Sequence, residues 1–113
     1  MIATHVVTGA FLKEMEKHAG RLEKLRSIIK TDEQKQELLK RFEKFLAESD
    51  LLPKTKDWYR KDAAFILAGQ DEDVVQACSY VQNTRTVLKH LVNLAQRMEL
   101  EDKQEKKKKR KAS

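Results

Sequence analysis

The sequence predicts an all-α protein: about four amphipathic helices forming a small bundle, with a long C-terminal helix and a disordered basic tail. Three observations carry that expectation. Apolar residues recur at alternating spacings of three and four through most of the chain, which places them on one face of each helix. Three glycines and one proline in 113 residues are too few for the many turns of an all-β fold. Charged residues make up 37% of the chain, against roughly 25% in ordinary globular domains, which fits thin helices with wide solvated faces or a partner-dependent assembly.

The first helix is expected to start at Thr8, whose hydroxyl could cap an early helical N–H. Phe11, Met15, His18, Leu22, Leu25 and Ile29 then follow at spacings of 4, 3, 4, 3 and 4. Gly20 costs about 1 kcal/mol relative to alanine inside a helix, so it marks either a close helix crossing or a tolerated defect. Thr31 opens the second helix with the capping-box pattern Thr31-Asp32-Glu33-Gln34, and Leu38, Leu39, Phe42, Phe45 and Leu46 form its apolar face. It should end near Ser49, because Pro53 forces extended backbone on the residue before it.

Thr55 is expected to cap a third helix, with Trp58, Tyr59, Ala63, Phe65, Ile66 and Leu67 as its apolar residues and Gly69 as its C-cap. Asp71, Glu72 and Asp73 suit the start of a last helix, where the dipole favours acid. Ala77, Val81, Thr84, Leu88, Leu91, Ala95 and Met98 continue a 4, 3, 4, 3, 4, 3 stripe, so this helix should run from about Asp71 to Asp102. Its length, roughly 45 Å at about 1.5 Å per residue, could overhang the rest of the bundle. Residues 1–102 thus form one helical domain and 103–113 a lysine-rich tail.

The formal net charge is +6, and it is concentrated at one end. From Glu101 to Ser113 there are seven Lys/Arg against Glu101, Asp102 and Glu105, a surplus of four that leaves only two for the preceding 100 residues. Lys106, Lys107, Lys108, Lys109, Arg110 and Lys111 are expected to stay extended and solvated. They suit capture by an import receptor, salt-sensitive attachment to nucleic acid, or a plain solubilising or anionic-membrane-tethering role. A second cluster, Lys54, Lys56, Trp58, Arg60 and Lys61, interleaves cations with aromatics as single-stranded nucleic-acid sites do. The chain's only tryptophan is nevertheless expected in the core, with the cations on the wet side. An exposed Trp58 would mark a partner-binding hot spot instead.

Catalytic residues are not legible. Cys78, the one cysteine, lies in an apolar helix where a free thiol behaves as a small hydrophobe. His5, His18 and His90 form no zinc or di-iron spacing, and His18 on its apolar stripe is expected to be buried and hydrogen-bonded. Isolated glycines make no phosphate-binding loop. No catalytic residue, metal or cofactor is assigned, and the chain is read as not an enzyme. No window reaches the roughly 20 apolar residues of a membrane span, and the protein is expected to be intracellular: in the nucleus if the source is eukaryotic, in the cytoplasm otherwise.

The expected function is therefore a non-catalytic helical protein–protein interaction module. It would serve as a small subunit or adaptor of a nuclear or nucleic-acid-associated complex, its basic tail giving import or polyanion attachment. Direct sequence-independent nucleic-acid binding is one alternative. Self-assembly into a homo-oligomer through Phe11, Met15, Leu22, Leu25, Leu88, Leu91 and Met98 is the other.

Overall fold

The computed structural model describes the backbone of residues 2–112 and the side chains of residues 11–105. Five α-helices follow one another: α1 (Ile2–Ile28), α2 (Asp32–Glu48), α3 (Pro53–Ala68), α4 (Asp71–Tyr80) and α5 (Gln82–Ala112). No strand occurs among the described residues. The class is all-α, as the periodicity predicts.

Helix α5 is the hub. It packs against all four other helices, while α1 also lies on α4, and α2 on α3. Its buried face is Thr84, Val87, Leu88, Leu91, Val92 and Ala95. These meet Leu22, Leu25 and Ile28 of α1, Leu38, Phe42 and Leu46 of α2, Tyr59, Ala63, Ile66 and Leu67 of α3, and Val74 and Cys78 of α4 in one core. The arrangement is drawn out. Its radius of gyration is 16.8 Å, where about 13 Å is usual for a compact chain of this length.

Three expectations about helix ends are corrected, and one of the two readings of Gly20 is decided. Thr8 is no cap, because α1 already begins at Ile2. Thr55 is no cap either: Leu52 holds the N-cap position and Pro53 begins α3, where its fixed φ suits the first turn and its missing N–H costs nothing. Gly20 is a tolerated glycine: among the described residues, a Cβ there would meet nothing within 4 Å. The long last helix is two helices, broken at Val81, whose φ of −117° and ψ of 115° are extended. Val81 lies on the predicted stripe but is 46% exposed. The 4, 3 spacing runs across the break unchanged, and folding α4 back against α1 and α5 buries Val74 and Cys78 in a way a straight helix would not.

The Thr31 capping box forms as predicted. Gln34 N–H donates to Thr31 Oγ1 at 3.1 Å, and the Thr31 N–H donates to Gln34 Oε1 at 3.0 Å. Helix α2 ends at Glu48 with Ser49 as its C-cap. Gly69 caps α3, though at φ −77° and ψ 165°, an extended conformation open to any residue. Its need for glycine is one of space, since a Cβ would lie 2.6 Å from the Phe65 carbonyl oxygen and 3.2 Å from Val74 Cγ2.

Candidate functional site

A concave apolar surface lies between α1 and α4. Phe11, Met15 and Ala19 form one wall, at spacings of four. Asp71, Glu72, Val75, Gln76 and Tyr80 form the other, enclosing a groove of about 500 Å³. The two helices run antiparallel: Phe11 meets Tyr80 at one end, ring centroids 5.4 Å apart, and Arg26 meets Asp71 at the other. The break at Val81 ends α4 there, and Tyr80 remains 68% exposed despite its contact with Phe11.

Arg26 fixes the acidic end. Its guanidinium donates to the carbonyl oxygens of Leu67 (3.0 Å), Ile66 (2.8 Å) and Gly69 (3.0 Å), and its Nε lies 3.1 Å from Asp71 Oδ1. One side chain of α1 thus satisfies the orphan carbonyls at the end of α3 and holds the start of α4. Sequence periodicity gave no sign of Arg26, a polar residue inside an apolar run.

Acid borders the groove. Asp71 and Glu72 line it, and exposed Asp73 follows. On α1, Leu12, Glu16, Ala19 and Glu23 are spaced 4, 3 and 4, so Glu16 and Glu23 share Ala19's strip of the helix, and both are exposed. Exposed Lys13, Lys17 and Lys24 form a separate strip. An otherwise cationic protein therefore carries an apolar groove with an acidic border.

The predicted cluster on α3 divides in two. Lys54, Trp58, Lys61 and Phe65, at spacings of 4, 3 and 4, share the outward face and are all exposed. Trp58, expected in the core, is 54% exposed. The inner face is filled instead by Tyr59, Ala63, Ile66 and Leu67. Trp58 lines a shallow recess of about 270 Å³ with Leu52, Lys54, Thr55 and Asn83. Lys56 is half-buried on another side. Arg60 is tied to Glu43 at 2.7 Å and Asp57 at 2.6 Å, and these carboxylates push its pKa up. Phe65 was not singled out as a surface residue; its spacing from Trp58 is the signal that could have found it.

Of the residues read as a self-assembly interface, Leu22, Leu25, Leu88 and Leu91 are buried in the chain's own core, while Phe11, Met15 and Met98 are half-buried. Helix α5 extends beyond the core: Leu100 is 57% exposed and residues 101–105 are exposed. Arg41 clasps Glu101 through two bonds of 3.2 and 2.5 Å, lowering the Glu101 pKa. The α5 backbone runs on to Ala112, and the side chains of Lys106, Lys107, Lys108, Lys109, Arg110 and Lys111 lie outside the described residues.

Inside the bundle the titratable groups are sequestered. Burial pushes the Cys78 thiol up to about 11, so it is protonated and poorly nucleophilic near neutrality. His18 is fully buried but lacks its expected hydrogen bond: among the described residues neither ring nitrogen has such a partner, and Nε2 is 3.6 Å from Glu14. Burial lowers the pKa of His18 and of His90, whose ring packs on that of Phe45 at a 41° tilt, centroids 4.5 Å apart. Thr84 Oγ1 donates to Asp62 Oδ1 at 3.3 Å, yet burial raises the Asp62 pKa.

Among the described residues, no group of three His, Cys, Asp or Glu is placed to hold a metal ion, and no helix is long and apolar enough to cross a membrane. Comparison with protein-family models, curated proteins and solved structures finds no match to this chain.

Proposed function

We propose that this protein is a non-catalytic helical interaction module, a small subunit or adaptor that docks a protein partner in the α1–α4 groove. The observation that carries the reading is the groove itself. Phe11, Met15, Val75 and Tyr80 leave apolar surface in a concave site of about 500 Å³. Concave apolar sites with a few charged groups at the border are where ligands and partners bind. Cys78, buried in the core with its thiol pushed up to about 11, offers the groove no ready nucleophile. Lys106 to Lys111 would add nuclear import in a eukaryotic cell, or attachment to a polyanion.

The outward face of α3 favours a second reading, direct binding of single-stranded nucleic acid. Trp58 and Phe65 would stack bases while Lys54 and Lys61 meet phosphates. Photo-crosslinking in cells separates the two readings. A photoreactive residue at Gln76, in the groove, is expected to give discrete protein adducts that the same residue at Lys24 does not. Equal labelling at the two positions would remove support for groove docking. Nucleic-acid adducts from Lys61 without protein adducts from Gln76 would put the second reading first.

A further inference from the structure

Resting on the reading of the groove as a docking site, the geometry points to one kind of occupant: an amphipathic helix of a partner protein, its apolar face in the groove and its basic residues toward its C-terminus. Three features select that occupant.

The first is shape. Both walls are helices, with side chains repeating at spacings of three to five along an axis of about 12 Å from Phe11 to Ala19 at 1.5 Å per residue. Two such rows make a furrow that accepts the i, i+4, i+7 ridge of a third helix about two turns long. An extended peptide would gain little, because helical walls have no free backbone edge to pair with.

The second is charge. Glu16, Glu23 and Glu72 are exposed along the two borders, and Asp71 and Asp73 add to the α4 end. Asp71 is already engaged by Arg26, so the net demand is for a few added cations. A second copy of this chain placed face to face would set this acidic border against itself. The border therefore argues for a basic partner and against a symmetric dimer through this face.

The third is polarity. The acid gathers at the start of α4, while the aromatic pair Phe11–Tyr80 lies at the far end. Basic residues are best placed in the last turn of a helix, where they also complement its dipole. A ligand helix with that last turn over Asp71, Glu72 and Asp73 runs antiparallel to α4 and parallel to α1, so its direction is set by the side-chain charges rather than by the wall dipoles. Its bulkier apolar residues then reach Phe11 and Tyr80, and its smaller ones pass Ala19.

The test is selection from a display library of helical peptides about 18 residues long, with apolar and flanking positions randomised, against the full chain. Counter-selection uses the double variant Ala19→Glu, Tyr80→Glu; both residues are exposed, and circular dichroism checks that it folds. The expected clones require the groove, carry an i, i+4, i+7 apolar face, and are enriched in Lys/Arg in the C-terminal turn. Reversing those cations to Glu should weaken binding by about tenfold at low salt. Glu16→Lys with Glu72→Lys on the protein should then favour the reversed peptide. Groove-dependent clones without basic enrichment would overturn the proposed occupant and leave the docking site standing. Absence of any groove-dependent clone would overturn both.

Discussion

Replacing Arg26 by methionine tests how the groove is held in shape. Methionine keeps most of the aliphatic stem but removes three hydrogen bonds from a charged donor to the carbonyls of Ile66, Leu67 and Gly69. Bonds to charged groups contribute about 1.5–3 kcal/mol each when well buried. Arg26 is 26% exposed, so water recovers part of that, and about 1 kcal/mol per bond is the fairer figure. The ion pair to Asp71, itself 66% exposed, adds less than about 1 kcal/mol. Arg26→Met should therefore cost about 3 kcal/mol, and Arg26→Lys about half as much, because an ammonium can keep one or two carbonyls but not the fork. Asp71→Asn should cost under about 1 kcal/mol. Urea unfolding followed by circular dichroism gives the three values, with an unchanged m-value expected. An Arg26→Met cost below about 0.5 kcal/mol would refute the carbonyl-capping role, given that ordinary surface changes fall in that range. So would an Asp71→Asn cost equal to that of Arg26→Met, which would assign the whole effect to the ion pair.

Further outcomes follow from the interior and from the exposed face of α3. His18 and His90 are held below the ordinary histidine pKa, so as pH falls below about 6.5 the unfolded chain binds protons first and stability declines. His18→Leu should reduce that acid slope and, by removing unpartnered ring nitrogens, raise stability at pH 7 by about 1 kcal/mol; an unchanged slope in urea titrations at pH 7.5 and 5.5 would count against it. Cys78, with its thiol raised to about 11, should resist iodoacetamide at pH 8 until the chain unfolds, a contrast mass spectrometry can read. Gly20→Ala should stabilise by up to about 1 kcal/mol, while Gly69→Ala should destabilise through its clash with Phe65, both seen as opposite shifts in Tm. As the sole tryptophan, Trp58 reports α3 alone: if bases stack there, oligothymidine should quench its fluorescence in a salt-sensitive way, and Lys54→Ala with Lys61→Ala should weaken the effect.

Much of the bundle is legible in local pattern because local pattern causes it. The Thr31 box, the α1 stripe from His18 to Leu25 and the α5 stripe from Thr84 to Ala95 depend on side chains within a few residues of each other. What was not legible depends on distant partners. Val81 breaks a helix whose periodicity continues unbroken, because tertiary packing of α4 rewards the bend. Trp58 faces outward because Tyr59, Ala63 and Ile66 already fill the inner side of α3, a choice that hydrophobicity alone does not reveal. Phe11 and Met15 belong to the same stripe as Leu22 and Leu25, and amphipathicity cannot tell which part of a stripe will run out of neighbours. The groove begins where they do, and Arg26, which holds its far end, bonds to residues some 40 positions away.

The position of α5 in the order of the helices has a consequence for how the chain comes to life. Before α5 exists, the other helices make two pairs, α1 with α4 and α2 with α3, connected across the gap chiefly by the reach of Arg26. Neither pair covers Leu22, Leu38, Phe42 and Leu46 without the helix that joins them, and that helix is the last of the five to leave the ribosome. At synthesis rates of about 5–20 residues per second, the 80 residues that end with α4 spend seconds with the apolar faces that α5 will cover left open. The same apolar surfaces that later close around α5 are, during that interval, open to chaperones and to neighbouring nascent chains.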